Sequence, residues 1–465
     1  MGKVIQTQAN QVEASSHRVI TSACALMFLI SLDVTVVNVA LPAIQDTLTV
    51  PIRSLSLTLV AYALPFATLM LSAGALSDRF GPAKACMSGV LILGVGSLIG
   101  AAAPNFAVLV LGRVVQGGGA ALCMPSSLAV LRSNVPSHQL TQAIALWGFC
   151  GSVAIAAGPL LSGFLVQYTT WRSVFIINIP VVALAAWLLL PVARVVRQTP
   201  ISQKTSVDVI GQALFVASST LLVGGLILLG GEVYAVPRQI PVVMLILSVV
   251  GAVAFFLYER RAANPVIPPS LIEHRVFQSA VMVGGSISFV SFGIVYCLGL
   301  YYDVAHKFSP LMVGALYLPS MLATGAATMV VERVRRALGA RMTTAAGIAS
   351  QLIGSFLIAL LPDNVGWVSA NAVFLGFGVG LVVPVITASL LAAVDANLSG
   401  VASGAFSSIR QLAAAIGIAV LGLLVQGAGS SIQVDLRSIA ALCASLLAIV
   451  LGAYLALQRD TDIAR

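Results

Sequence analysis

Charge is what this chain has least of. Only 8% of its 465 residues are Asp, Glu, Lys or Arg, against roughly 25% in a typical soluble domain. A water-soluble fold of this size could not cover its surface with so few charges, so a bilayer is its solvent. Histidine and cysteine are scarce too. The four histidines (His17, His138, His274, His306) are scattered outside the apolar runs, and the six cysteines form no CxxC pair. No zinc or haem spacing is present, so no metal is expected, and the cysteines read as small packing residues. There is no Gly-x4-Gly-Lys-Ser/Thr loop, hence no nucleotide cofactor is expected. The glycine clusters Gly117–Gly119 and Gly224-Gly225 lie in apolar runs, where helix packing is the better reading. The net charge of +9 comes without a basic stripe interleaved with aromatics, so nucleic acid has no footprint. A membrane enzyme would need clustered His, Cys or acid within the bilayer, and a channel would show rings of like charge or a filter repeat. Neither pattern is present.

What is present is apolar length: 59% of the residues are hydrophobic. A helix needs about 20 such residues to cross the hydrocarbon core. Runs near 19–41, 55–76, 86–103, 107–130, 141–164, 172–192, 209–230, 239–258, 279–301, 311–331, 342–361, 366–393, 401–425 and 438–457 predict fourteen spans. Residues 1–18 are polar, and the first run is too long for a signal-peptide core, so it reads as a retained span. With the N-terminus cytoplasmic, seventeen of the 24 Lys and Arg fall on the cytoplasmic side, five on the other, and two inside spans. An error of one span would scramble that bias, so it supports both count and orientation. The long connectors 193–208 and 259–278 bracket two spans between two groups of six. The expectation is an all-α polytopic membrane protein arranged 6 + 2 + 6. Residues 1–193 form one six-helix bundle, 194–260 two linker helices, and 261–465 the second bundle.

Of the fifteen acids, only Asp33 lies well inside a span. At a rise of 1.5 Å per residue it sits about 21 Å from the start of the first span, while Arg113 lies about 9 Å below the opposite start of the fourth. In a core about 30 Å thick the two share nearly one level. Desolvation raises a carboxylate pKa and a nearby cation lowers it, so changing the gap to Arg113 would change proton affinity. That is what coupling a proton to a conformational change requires. A static ion pair holding the helices together is the alternative. Arg410, in the thirteenth span, is the other intramembrane charge; snorkelling or pairing with backbone carbonyls is its alternative.

Several motifs follow in order. Gly74-Ala-Leu-Ser-Asp78-Arg79-Phe-Gly81-Pro-Ala-Lys84 resembles the signature cytoplasmic loop of the major facilitator superfamily. In that family the loop latches the halves in the outward-facing state. Pro82 and Ala83 replace usual basic residues, which implies a weaker latch. Leu111-Gly-Arg113-Val-Val-Gln116-Gly117 resembles the fourth-span motif whose Arg is linked to proton transfer. Gly158-Pro159-Leu-Leu-Ser162-Gly163 resembles the antiporter motif, where Gly and Pro let helices pack tightly and bend, with Ser162 in place of a usual Gly. Leu32-Asp33-Val-Thr35-Val-Val-Asn38 looks like the signature of the fourteen-span drug:H⁺ antiporters of the EmrB/QacA type. Trp171-Arg172…Asn178-Ile-Pro180 and Gly400…Gly404…Arg410-Gln411 match further, so the resemblance runs from residue 32 to about 422. Leu57 stands where the family often has Trp.

The resemblance implies two six-helix bundles around a midplane cavity, alternating access, no ATP, and a monomer. The proton would bind Asp33, with Arg113 modulating it. Asn38, Tyr62, Gln116, Trp147, Arg410 and Gln411 are candidate cavity contacts. The first functional expectation is proton-driven efflux of drugs or other amphipathic or cationic compounds. The alternative is uptake or export of one dedicated metabolite or vitamin such as riboflavin, since fold does not fix substrate. The expected partners are protons, a small-molecule substrate and lipid, and the expected place is the cell inner membrane with both termini cytoplasmic. A periplasmic adaptor is left open.

Overall fold

In hydrocarbon every backbone N–H and C=O must be satisfied within the chain, and a helix does this segment by segment. In the computed structural model each apolar run accordingly becomes a helix. The structure describes residues 2–51, 54–195, 208–229, 237–262, 265–395, 398–426 and 433–463. The connectors expected near 193–208 and between the seventh and eighth spans lie largely outside the described residues. The helices are α1 (Gly2–Leu48), α2 (Leu55–Phe80), α3 (Pro82–Ala101), α4 (Phe106–Asn134), α5 (Ser137–Tyr168), α6 (Asn178–Val195), α7 (Val209–Leu229), α8 (Gln239–Glu259) and α9 (Arg275–Leu300). The continuous helix Pro310–Leu360 follows, then α12 (Val365–Ala393), α13 (Ser399–Leu423) and α14 (Leu436–Ile463). Gly339, at φ 78° and ψ 164°, breaks Pro310–Leu360 into α10 (310–338) and α11 (340–360). Among the described residues thirteen helices are long and apolar enough to cross a membrane. The break at Gly339 makes one of them two spans, which gives fourteen. A two-residue antiparallel pair, β1 (Val425–Gln426) with β2 (Gln433–Val434), links α13 to α14.

Several boundaries differ from the sequence expectation. The polar first residues continue α1 as helix, and its span runs Ser16–Leu48. α3 begins at Pro82 rather than near 86. Pro82 occupies the first helical position, where its missing N–H costs nothing, and Gly81 turns the chain at φ 87°. The connector expected at 332–341 is helical except at Gly339, and Glu332 pairs with Arg335 and Arg336 one turn on. The sixth span opens with a separate turn, Ser173–Ile176, because Pro180 has no N–H to offer the Ile176 carbonyl.

The packing separates two groups. α1 to α6 contact one another, and α9 to α14 contact one another. Two seams join the groups, α5 with α10 and α2 with α13, and α1 also reaches α9. α7 lies against both α2 and α13, and α8 packs on α7. Only 11% of the apolar window of α8 is buried, so lipid is its solvent on most sides.

Candidate functional site

Glycine brings α3 and α4 close enough to build the site. A Cβ at Gly96 would stand 2.6 Å from the Gln116 backbone nitrogen, and one at Gly117 would collide with the Tyr62 carbonyl. Backbones in near contact hold the polar side chains of α4 in fixed places between α1, α2 and α3. The cluster Gly117–Gly119 is thus a packing device.

Asp33 and Arg113 meet across that gap. Arg113 Nη1 lies 2.5 Å from Asp33 Oδ2, and the two side chains are 1% and 0% exposed. The Arg113 Nε donates to the Thr58 carbonyl at 3.0 Å, and Nη1 donates also to Gln116 Oε1 at 3.0 Å. The Tyr62 ring lies beneath the guanidinium, 4.4 Å from Cζ to centroid, a favourable cation–π placement. Asp33 Oδ1 accepts from Gln116 Nε2 at 3.2 Å and from Asn178 Nδ2 at 2.8 Å. Ser97 Oγ ties both amides together, accepting from Gln116 at 2.8 Å and Asn178 at 3.2 Å. Asn178 Oδ1 is buried and has no hydrogen-bond partner. The ion pair therefore sits in a network reaching from α1 through α3 and α4 to the start of α6.

The sequence places Asp33 and Arg113 at one level but leaves Ser97 and Asn178 without a role. Asn178 is an amide within a quoted motif, and that polarity was the available signal. Of the cavity candidates, Asn38, Tyr62 and Gln411 line a small central cavity together with Arg113, Phe292 and Ala414. Its volume is about 20 Å³, room for about one water. Gln116 is held inside the ion-pair network instead, fully buried. Trp147 stands apart, donating from Nε1 to Ser127 Oγ at 3.2 Å. Arg410 sits one helical turn from the cavity, on α13. Asp33 is not itself in the cavity wall; Arg113 stands between.

The antiporter-motif residues form the α5–α10 seam. A Cβ at Gly163 would collide with the Pro310 carbonyl, and one at Gly314 with the Pro159 carbonyl. A Cβ at Gly158 would collide with Thr35 of α1. These contacts seal the molecule at the end bearing Leu48, Tyr168 and Pro310. Toward the opposite end, Gly74, Gly148, Gly325, Gly400 and Gly404 have nothing within 4 Å of a Cβ position, while Ser408 of α13 still donates to the Ala67 carbonyl of α2. Arg79 and Lys84 are exposed and make no ion pair among the described residues, and Phe80 is 54% exposed. The Asp78 side chain lies outside the described residues.

Comparison with known proteins gives one consistent outcome. The family model described as Major Facilitator Superfamily matches residues 23–418. A methylenomycin A resistance protein of Bacillus subtilis is 31% identical over 414 residues, covering 86% of each chain. A lincomycin resistance protein of Streptomyces lincolnensis is 32% identical over 422 residues, covering 89% of this chain and 85% of that one. The multidrug resistance protein Stp of Mycobacterium tuberculosis is 30% identical over 398 residues, covering 85% of this chain and 73% of that one. Among solved structures, the partially occluded inward-open xylose transporter XylE of E. coli superposes with a TM-score of 0.64 at 12% identity, covering 95% and 98% of the two chains. At that identity the likeness concerns fold alone. With the family model spanning most of its length, the chain belongs to the Major Facilitator Superfamily and is a multi-pass membrane transporter of small molecules.

Proposed function

We propose that this transporter is a proton-coupled antiporter of the fourteen-span drug:H⁺ type, exporting drugs or other amphipathic small molecules from the cell by alternating access. The observation that carries the reading is the fully buried Asp33, held by Arg113, Gln116 and Asn178 directly behind a cavity between the two helix groups. In this reading residues 1–193 and 261–465 are the moving bundles, and 194–260 is an inserted helix pair. Both termini face the cytoplasm, in the inner membrane of a cell, as the charge bias supports. The sealed end is then the outer one, and the structure is inward-facing. Arg79 and Lys84, exposed and without an ion pair among the described residues, agree with this, since the related loops latch the outward-facing state. The working unit is one chain, the proton gradient is its energy source, and it performs no enzymatic chemistry.

The proton step follows from the hydrogen bonds. In the ion pair the Asp33 carboxylate accepts from the Arg113 guanidinium and two amides. When α4 moves and Arg113 withdraws, that charge is left buried and uncompensated, which a proton relieves. Asn178 can then turn its amide, so that its idle Oδ1 accepts the new Asp33 hydroxyl. Arg113, freed of its partner, faces the cavity. Return of Arg113 expels the proton. The cycle thus alternates between an ion pair and a protonated acid.

Export is tested by expressing the chain in a bacterial host stripped of its own pumps. Tolerance is measured to a panel spanning acids, neutral compounds and bases. Raised tolerance that vanishes with Asp33→Asn supports the reading. Unchanged tolerance, together with rescue of a riboflavin auxotroph on scarce vitamin, would replace it with dedicated metabolite transport.

A further inference from the structure

Among the described residues Arg410 is a second cation near the middle of a span, and the proton network does not use it. It lies on α13, eleven residues and therefore about 16 Å from the helix start at Ser399, near the middle of its span. Its Nε donates to Ser288 Oγ of α9 at 3.2 Å, and its Cζ stands 5.6 Å from the Phe406 ring centroid. Among the described residues no carboxylate pairs with it; the ion pairs there are Asp33 with Arg113 and Glu332 with Arg335 and Arg336. Its Nη1 and Nη2 make no hydrogen bond to the described residues, and neither is sealed from open space.

The helix faces say where Arg410 sits. Gln411, Ala414 and Ile418 of α13 line the central cavity, while Phe406, Ala413 and Gly417 lie against α9. At 3.6 residues per turn Arg410 falls between these two faces, one turn before Ala414. Ser288 is likewise one turn before Phe292, which lines the same cavity. Arg410 therefore sits beside the cavity, its side chain running along α9, with Cδ 3.3 Å from where a Cβ would stand at Gly284 and Nε on Ser288.

A cation at mid-membrane is costly to insert and pairs where it can. Asp33 cannot serve, since Arg113 occupies it. One of five donors is engaged, and the remaining planar fork matches a carboxylate in two parallel hydrogen bonds. The unpaired charge beside the cavity is positive, which disfavours an organic cation in that place. We infer that Arg410 anchors a carboxylate on the transported molecule, so that the substrate class is an amphipathic organic acid. This rests on the transport reading above and narrows it; the expectation of cationic substrates gives way.

The test uses the full chain in lipid nanodiscs and three probes that share one ring system. These are 2-naphthoate, 2-naphthamide and 2-naphthylmethylammonium, with binding measured by calorimetry near neutral pH. Wild type is expected to bind naphthoate at least about 10-fold more tightly than the other two, and Arg410→Gln to lose that preference. Absence of naphthoate binding, no preference, preference for the ammonium, or an unchanged preference in Arg410→Gln overturns the inference. Should that variant fail to fold, Arg410→Lys decides, since it keeps the charge but not the fork. A loss of about 3-fold or more for naphthoate alone supports the anchor, and equal or no loss across the probes overturns it. Asp33→Asn is expected to keep the preference for naphthoate while losing proton coupling. Failure of either claim is therefore visible without the other.

Discussion

Asp33 and Arg113 stabilise each other only as a pair. Removing one partner of a buried ion pair leaves a bare charge and costs about 3–5 kcal/mol. Arg113→Ala is therefore expected to lower the thermal melting temperature and to slow turnover. A variant with an intact melting temperature, rate and pH profile would show that the pair carries no load. Asn178 is a positioning residue, since it acts through Asp33. Replacing it with Leu removes a donor to the charged carboxylate, and hydrogen bonds to the charged form favour that form. The flux–pH profile of Asn178→Leu is expected to change shape with coupling retained, since both forms of the acid lose a partner. A structural role alone would lower flux at every pH without changing that shape.

At the level of helices, the seams carry the motion. Gly163 and Gly314 let α5 and α10 touch backbone to backbone, and no side chain fits there. Gly163→Leu is expected to hold the sealed end open. Spin labels on the ends of α5 and α10 would report a longer separation than in wild type, and an unchanged distance would deny the seam its role. Gly339 holds a backbone geometry close to glycine-only territory, where other residues pay about 1–3 kcal/mol. Gly339→Val should lower the melting temperature without changing the pH dependence of flux, and no change in melting would place the α10–α11 break elsewhere. Helix existence was legible in the apolar runs because lipid leaves the backbone no other choice. Helix ends were not: Pro82, Pro180 and Gly339 act through single backbone groups that hydropathy does not weigh. The charged stretch around Glu332 reads as a loop by polarity and folds as helix through its own ion pairs.

Across the whole molecule, the inserted pair α7–α8 is tied to the moving parts. Gln212 of α7 donates to the Thr68 carbonyl of α2 at 2.6 Å and accepts from Ser72 at 2.5 Å, and α7 also meets α13. The pair thus borders the α2–α13 seam rather than floating beside it. The sequence shows the pair as two long apolar runs between long connectors, but not where it docks, because docking joins groups as far apart in sequence as Gln212 and Thr68. The central acid was legible for the opposite reason: it is the lone carboxylate deep in a span, and its arginine sits at the same depth. Ser97, Asn178 and the neighbours of Arg410 come together only through tertiary packing.

The most direct measurement is flux in proteoliposomes under an imposed proton gradient, with 2-naphthoate as the cargo and wild type set beside Asp33→Asn. Wild type should drive concentrative transport that collapses when the gradient is dissipated, and the variant should equilibrate the cargo without concentrating it. Gradient-driven accumulation by Asp33→Asn at the wild-type level would contradict the account.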